Sequence, residues 1–517
     1  MNVSEAILRE LVDMGVDACF GNPGTSEMHL VASFDRVGGI KPILCLFEGV
    51  CTGAADGYAR MAGKPAATLL HLAPGMGNGF ANLHNAKRAH SRMINLVGDH
   101  ATFHRKYDAP LQSDIHAVSK PVSDWIGDPV SGADAIHKVR QAFDIAMRPN
   151  GGLSTLIVPA DIAWSDMGAV PARAAPTTAP KAPVDAALVR AAAAALTSGE
   201  PAILLIGGHG GLERPMRLAA AIAQKTGARL FTDTFMSRLA RGRGRTKPER
   251  VPYLGEMAVP MLSGFRQCVA IGTKAPVGFF GYPNKPSTFL SPECKVHMPW
   301  SAGNDLSDVL EALAAEVGAA PAPVITDGPA PSLPGAGKIS IETFANATAA
   351  LLPEGAVVSD EANSSGLWAY LAFQNAAPHD WLSLTGGAIG QGIPVAVGAA
   401  VACPGRPVIN LQADGSAMYT IQGLWTAARE NLHVITVLLN NKSYFVLNME
   451  LDRVGATAQS ERSRSLLSLE KPVMDFTAMA RSMGVKAVRA EDNETYVKAL
   501  QAALAEPGPH LIEVMLA

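Results

Sequence analysis

Cysteine is scarce and unpaired in this sequence. The six present, Cys19, Cys45, Cys51, Cys268, Cys294 and Cys403, form no CxxC pair and no zinc-type spacing. That argues against a disulfide scaffold and a structural zinc site, and fits reduced thiols in a cytoplasmic protein. Long apolar runs are missing too: nothing approaches the roughly 20 residues that a membrane span needs. The N-terminal Met-Asn-Val-Ser-Glu has neither the basic stretch nor the apolar core of an export signal, so a cytoplasmic location is expected. Charge is sparse, 17% of residues, and nearly balanced, 43 basic against 46 acidic for a net -3. No like-charged block stands out, which argues against nucleic acid or a membrane surface as partner.

What is present is apolar residues, 48% of 517, enough for large cores and, by length, about three domains. Two stretches rich in Pro and Ala, residues 170–183 and 319–337, read as interdomain linkers. The three segments around them each alternate short β-branched runs with amphipathic helical patterns. The expectation is α/β: three doubly wound parallel-sheet domains over residues 1–165, 185–320 and 338–517. Ser4 is the expected N-cap of a helix over 5–14. A strand over 43–47 runs into Glu48, and one over 66–70 runs into His71, placing two polar groups where buried parallel strands stop. Ligands of open α/β sheets bind at that edge.

Further on, 407–412 reads as a strand, 421–430 as a helix and 433–439 as a second strand. One crossover therefore brings Asp414 and Asn441 together at a sheet edge, a hard-oxygen site of the kind Mg²⁺ shares with phosphate. Gly415 allows close backbone approach, and the helix N-terminus beyond Ser416 favours anions. A diphosphate bridged by a metal suits this arrangement.

The spacing of Asp414-Gly415-Ser416 from Asn440-Asn441 resembles the signature of the thiamine diphosphate enzymes, with Ala413 in place of the first glycine. The resemblance covers nearly the whole chain. It implies that Asp414, Asn441 and the carbonyl of Ser443 hold Mg²⁺, and that Asn363 and Ser364, in DEANSS, touch the diphosphate of thiamine diphosphate. The stretch FEGVCTGAADGYAR is similar to the region carrying the family's glutamate, which makes Glu48 the carboxylate bonded to the cofactor's aminopyrimidine. GGAIGQGIP, residues 386–394, implies that Gly387 and Ile389 support the bent cofactor. The resemblance also implies a homodimer as minimal unit and a homotetramer as the expected assembly. Glu48 of one subunit would then meet the cofactor held by the other.

Within the family the likeness is greatest to benzoylformate decarboxylases, through GNPGTSE, LLHLAPGMGN, LWTAARENL and NNKSY. It implies non-oxidative decarboxylation of a small-molecule 2-oxo acid, with or without carboligation. Thr25 would contact the substrate carboxylate and His71 would serve as acid/base. The middle segment departs: TKAPVGFFGYPN has Phe279, Phe280 and Tyr282 where those enzymes carry a second histidine. His100 and His104 are the candidates for a substitute proton donor. An acetolactate synthase-like carboligase is the alternative, and a silent cofactor-binding protein a third reading. FAD is not expected, since no Arg-Phe-Asp-Asp-Arg-like run follows Cys268 and GGHGG at 207–211 lacks the GxGxxG spacing.

Overall fold

The computed structural model describes residues 1–171, 181–456 and 460–516. Three sheets, each the centre of an α/β domain, follow one another along the chain. The first is wholly parallel, in the order Lys41–Leu44, Ala18–Asn22, Ala66–His71, Arg92–Asp99, Gly152–Pro159, Trp125–Gly127. Its alternating side chains feed two cores: Leu70, Val97 and Ile157 point to one face, Leu69, Leu96 and Leu156 to the other. Helices cover both faces, which is why these strands read as continuous apolar runs rather than alternating ones.

The middle sheet, also parallel, runs Glu249–Arg250, Arg229–Thr232, Ala202–Ile206, Gln267–Ile271, Lys295–His297. The third runs Lys486–Ala490, His510–Met515, Val434–Asn440, Val408–Ala413, Val357–Glu361, His379–Ser383, Leu239–Arg241. Its last strand comes from the middle segment and pairs antiparallel with His379–Ser383. A three-residue edge strand is too short to announce itself by pattern.

Local departures from expectation have identifiable causes. The N-cap of the first helix, Val3–Asp13, is Asn2, whose side chain accepts from Glu5 N–H at 2.9 Å. Ser4 is instead buried and donates to Ala163 O at 3.0 Å. The strand before Glu48 stops at Leu44, and Glu48 opens the helix Glu48–Ala62. The helix expected over 421–430 is Gly423–Arg429, and a further short helix, Asp414–Thr420, precedes it. At Gly423 a Cβ would stand 2.7 Å from Ile393 Cγ2, so close packing selects glycine there. Residues 319–337 contain neither helix nor strand. Most of the other expected linker, 172–180, lies outside the described residues. All six cysteines are free. Among the described residues no helix is long and apolar enough to cross a membrane.

The first and third domains meet where helix Glu48–Ala62 crosses helix Gly392–Ala402. Glycines make the crossing possible: a Cβ on Gly398 would lie 1.7 Å from Ala54 O, and one on Gly57 would lie 2.1 Å from Val395 O. Beside it the buried Arg60, paired with Asp56, donates to Ser237 O at 3.3 Å and Ser383 O at 2.9 Å. One guanidinium thus ties all three domains together.

Candidate active site

Glu48 is the first residue of its helix and is 7% exposed. Its Oε2 accepts from Asn78 Nδ2 at 3.0 Å, while no hydrogen bond reaches Oε1 from the described residues. Gly75 separates it from His71: a Cβ there would be 3.1 Å from Glu48 Oε1 and 3.5 Å from His71 Cβ. His71 ends its strand as expected. Its Nδ1 lies 2.8 Å from Oε2 of the fully buried Glu27, and 3.3 Å from Ser26 Oγ. A carboxylate only accepts, so Nδ1 carries the proton and Nε2 is left as the outward-facing base. Two glycines make room for this pair. A Cβ on Gly98 would fall 1.7 Å from Glu27 Oε1, and one on Gly24 would fall 2.3 Å from His71 Nδ1.

Thr25 is exposed in the turn Thr25–Glu27, and it is the neighbouring Ser26 that reaches His71. His100 follows the strand beside that of His71, two residues beyond Gly98, which pairs with His71. Its Nε2 is buried without a partner. His104 is exposed on the outer loop, with its ring 5.7 Å from that of His100.

In the third domain the register Ala413↔Leu439 brings Asp414 and Asn441 to one edge, as the crossover spacing requires. Ala413 has φ -84 and ψ 150, extended backbone that alanine adopts without strain, so the missing glycine costs nothing. Asp414 is 2% exposed; Oδ1 accepts from Gly415 N at 2.7 Å, and Oδ2 from Lys442 N at 2.7 Å and Asn441 N at 3.1 Å. Burial pushes its carboxyl above the usual range, opposed by these backbone donors. Asn441 Oδ1 accepts from Ser443 N at 3.0 Å, folding the metal-type oxygens into one turn. Gly415 has its own necessity: a Cβ would stand 2.4 Å from the Tyr444 ring. Ser416 turns its hydroxyl inward, bonded to Gln412 Nε2 at 2.7 Å and Ala413 O at 3.1 Å, leaving only its backbone for a ligand. Among the described residues no cluster of three or more His, Cys, Asp or Glu could hold a metal. The candidate set has one carboxylate and two neutral oxygens, which suits a cation sharing its shell with phosphate.

Asn363 adopts φ 50 at the start of the turn Asn363–Ser365, beyond the strand Val357–Glu361. Glu361, which sequence reasoning passed over, holds the Ile389 loop in place. Its Oε1 accepts from Gly390 N and its Oε2 from Gly392 N, both at 2.6 Å, and Gln412 Nε2 adds a third bond at 2.9 Å. Burial pushes its carboxyl up to about 7. From the other side Asn82 donates to Gly390 O at 3.0 Å and Asn85 donates to Ala388 O at 2.7 Å. Gly387 is left exposed and Ile389 half-buried.

Within one chain, then, the Glu48–His71 group and the Asp414–Asn441 group form separate constellations, and no hydrogen bond joins the Glu48 carboxylate to Asp414, Asn441 or Ser443. Glu27 and Glu361 each sit within motifs already singled out, GNPGTSE and DEANSS. For Glu361 the signal that could have found it is a carboxylate ending a buried strand beside recognised residues; Glu27 closes the turn Thr25–Glu27 and offers no such signal.

Two family descriptions match the chain: "Thiamine pyrophosphate enzyme, N-terminal TPP binding domain" over residues 1–120, and the corresponding "C-terminal TPP binding domain" over 362–514. A protein of Mycobacterium tuberculosis provisionally named acetolactate synthase large subunit IlvX is 50% identical over 517 residues, covering 100% of this chain and 99% of its own. Benzoylformate decarboxylase of Pseudomonas aeruginosa is 28% identical over 525 residues, covering 97% of this chain and 96% of its own. The solved thiamine diphosphate-dependent 4-hydroxybenzoylformate decarboxylase of Rhodococcus jostii RHA1 superposes with TM-score 0.85 at 24% identity, over 100% of this chain and 99% of that one. At that identity it attests the shared fold.

Proposed function

This chain belongs to the thiamine pyrophosphate enzyme family, and from that premise we propose that it catalyses the Mg²⁺-dependent, non-oxidative decarboxylation of a 2-oxo acid. The observation that carries the reading is the pairing, at one sheet edge, of a carboxylate with an open oxygen, Glu48, and a histidine oriented by a buried carboxylate, His71 on Glu27. A protein that merely bound cofactor would not need the oriented histidine.

When bound, thiamine diphosphate supplies the carbon nucleophile and the electron sink that loss of CO₂ requires. Glu48 Oε1 would bond the aminopyrimidine ring, with Asn78 fixing the other oxygen. Asp414, Asn441 and the carbonyl of Ser443 would hold Mg²⁺, and Asn363, Ser364 and the backbone at Gly415 and Ser416 would receive the diphosphate. Gly387 would offer bare backbone and Ile389 a hydrophobic support to the cofactor's rings. His71 Nε2 delivers and removes the proton at the substrate oxygen or carbon, and Thr25, exposed in the turn Thr25–Glu27, is the proposed contact of the substrate carboxylate. His100, with an unpartnered buried nitrogen, is the second proton carrier; His104 stands farther out.

Two chains build each site in this reading, as a homodimer or a dimer of dimers. The apolar residues left open around each half support it: Leu46 and Phe80 near Glu48 are 47% and 36% exposed, and Leu367 and Trp368, just past Ser364, are 44% and 49% exposed. The domain limits proposed are 1–165, 185–320 and 338–517, and the location is cytoplasmic.

The IlvX likeness favours a second reading, an acetolactate synthase-like carboligase that adds the two-carbon unit to a second oxo acid. Neither reading calls on flavin, since the glycine-rich turn at 207–211 lacks the GxGxxG spacing. Product identity, followed by NMR with thiamine diphosphate and Mg²⁺, tests the proposal. Aldehyde as the sole product is expected, acetohydroxy acid would establish the carboligase, and unchanged substrate would refute both.

A further inference from the structure

A cavity of about 340 Å³ opens between the loops of the middle domain and the helix Phe445–Arg453 of the third domain. That is within the roughly 300–1,000 Å³ of small-molecule sites. Its walls are apolar and largely aromatic, with Tyr253, Val259, Phe279, Phe280 and Phe289 prominent. Phe279 packs against Tyr253 at 5.0 Å and edge-on to Phe235 at 5.4 Å between ring centroids. Phe279 and Phe280 nevertheless remain 42% and 61% exposed, an unusual amount of wet aromatic surface beside a cavity.

Position and charge narrow the occupant. The Phe279 ring lies against Gly387, where a Cβ would be 3.4 Å from Cε1, so the cavity adjoins the loop that carries Ile389. The helix on its other side begins two residues after Ser443. The charged groups of the lining are all neutralised within it. Glu256 pairs with Lys285 and, at 2.6 Å, with Arg453, which also pairs with Glu450; Glu450 in turn accepts from Tyr282 Oη at 2.6 Å. A carboxylate or guanidinium entering here would find no free partner and would have to break these pairs. A methyl group would leave most of the volume empty and the rings wet.

We propose that this cavity receives the side chain of the 2-oxo acid and selects an uncharged aryl group, with Phe279 as the specificity-determining wall; the proposal rests on the decarboxylase reading above. A planar ring can pack face or edge against Phe279 and Tyr253 and displaces the most water per frozen bond.

The test uses the full-length holoenzyme with thiamine diphosphate and Mg²⁺, comparing kcat/KM for benzoylformate, pyruvate and 2-oxoglutarate. One missing methylene in an apolar pocket already costs about 10–200-fold, so benzoylformate is expected to exceed the other two by about 100-fold or more. Phe279→Ala, which removes the wall, and Val259→Trp, which fills the volume, are each expected to lower the benzoylformate-to-pyruvate ratio about tenfold or more. Preference for pyruvate or 2-oxoglutarate in the wild type, or an unchanged ratio in both variants, overturns the pocket while leaving the decarboxylase intact. If no acid yields CO₂, the decarboxylase reading fails separately, and calorimetric titration with mandelate, an unreactive aryl acid, still decides the pocket. Saturable binding weakened about tenfold by Phe279→Ala supports it, and absence of binding contradicts it.

Discussion

Single side chains carry the sharpest expectations. Glu48→Gln keeps the shape and the Asn78 contact but removes the charge from Oε1. CO₂ release should fall by about 10²–10⁴-fold, the usual worth of a positioned acid or base, while calorimetric affinity for the diphosphate end changes little. Glu27 acts through His71. In Glu27→Gln the amide can turn either its oxygen or its NH₂ toward Nδ1, so the tautomer is no longer dictated, and kcat should drop about tenfold or more with little change in KM. Rescue in Glu27→Asp would separate orientation from mere packing. Glu48 and His71 were legible in the sequence because each follows an apolar run at a strand edge. Glu27 was not, because its partner lies 44 residues away and only the parallel pairing of Gly21 with Leu69 brings them together.

At the scale of elements, the glycine-mediated crossing of Glu48–Ala62 on Gly392–Ala402 sets how the Glu48 helix and the Ile389 loop are held within a chain. Gly398→Ala drives a Cβ into Ala54 O and should cost more than the about 1–3 kcal/mol of ordinary overpacking, read as a lowered denaturation midpoint. The Glu361 clamp adds a pH dependence. Its carboxyl is raised by burial from the usual 4.5 to about 7, so the stability it contributes is fully present below about 4.5 and declines as the pH rises through 7. The stability gap between wild type and Glu361→Ala should therefore narrow from pH 5 to pH 8, as followed by chemical denaturation. Strand-end chemistry was readable here too: Asp414 and Asn441 follow from two apolar runs and one crossover. The strand Leu239–Arg241 was not, since it answers to its pairing with the remote strand His379–Ser383.

At the scale of the whole molecule, the proposed site is divided between chains, with Glu48 on one side and Asp414 on the other. Chains bearing Glu48→Gln and chains bearing Asp414→Ala should each be nearly inactive alone. Co-expressed, they should regain about a quarter of wild-type activity, because half of randomly formed dimers restore one of two sites. No recovery would mean that each chain completes its own site. The three-sheet plan was foreseeable because the central strands of each sheet, such as Ala66–His71, Ala202–Ile206 and Val434–Asn440, are buried and run largely apolar. How the sheets clasp one another, through Arg60 and the glycine crossing, depends on pairs from 177 to more than 300 residues apart that no local pattern encodes. The decisive measurement is CO₂ release from benzoylformate by protein stripped with a chelator and then supplied with thiamine diphosphate, Mg²⁺, both or neither. Release only with both, and its loss in Glu48→Gln, is expected; release independent of either, or equal in the variant, would rule out cofactor-dependent decarboxylation through Glu48.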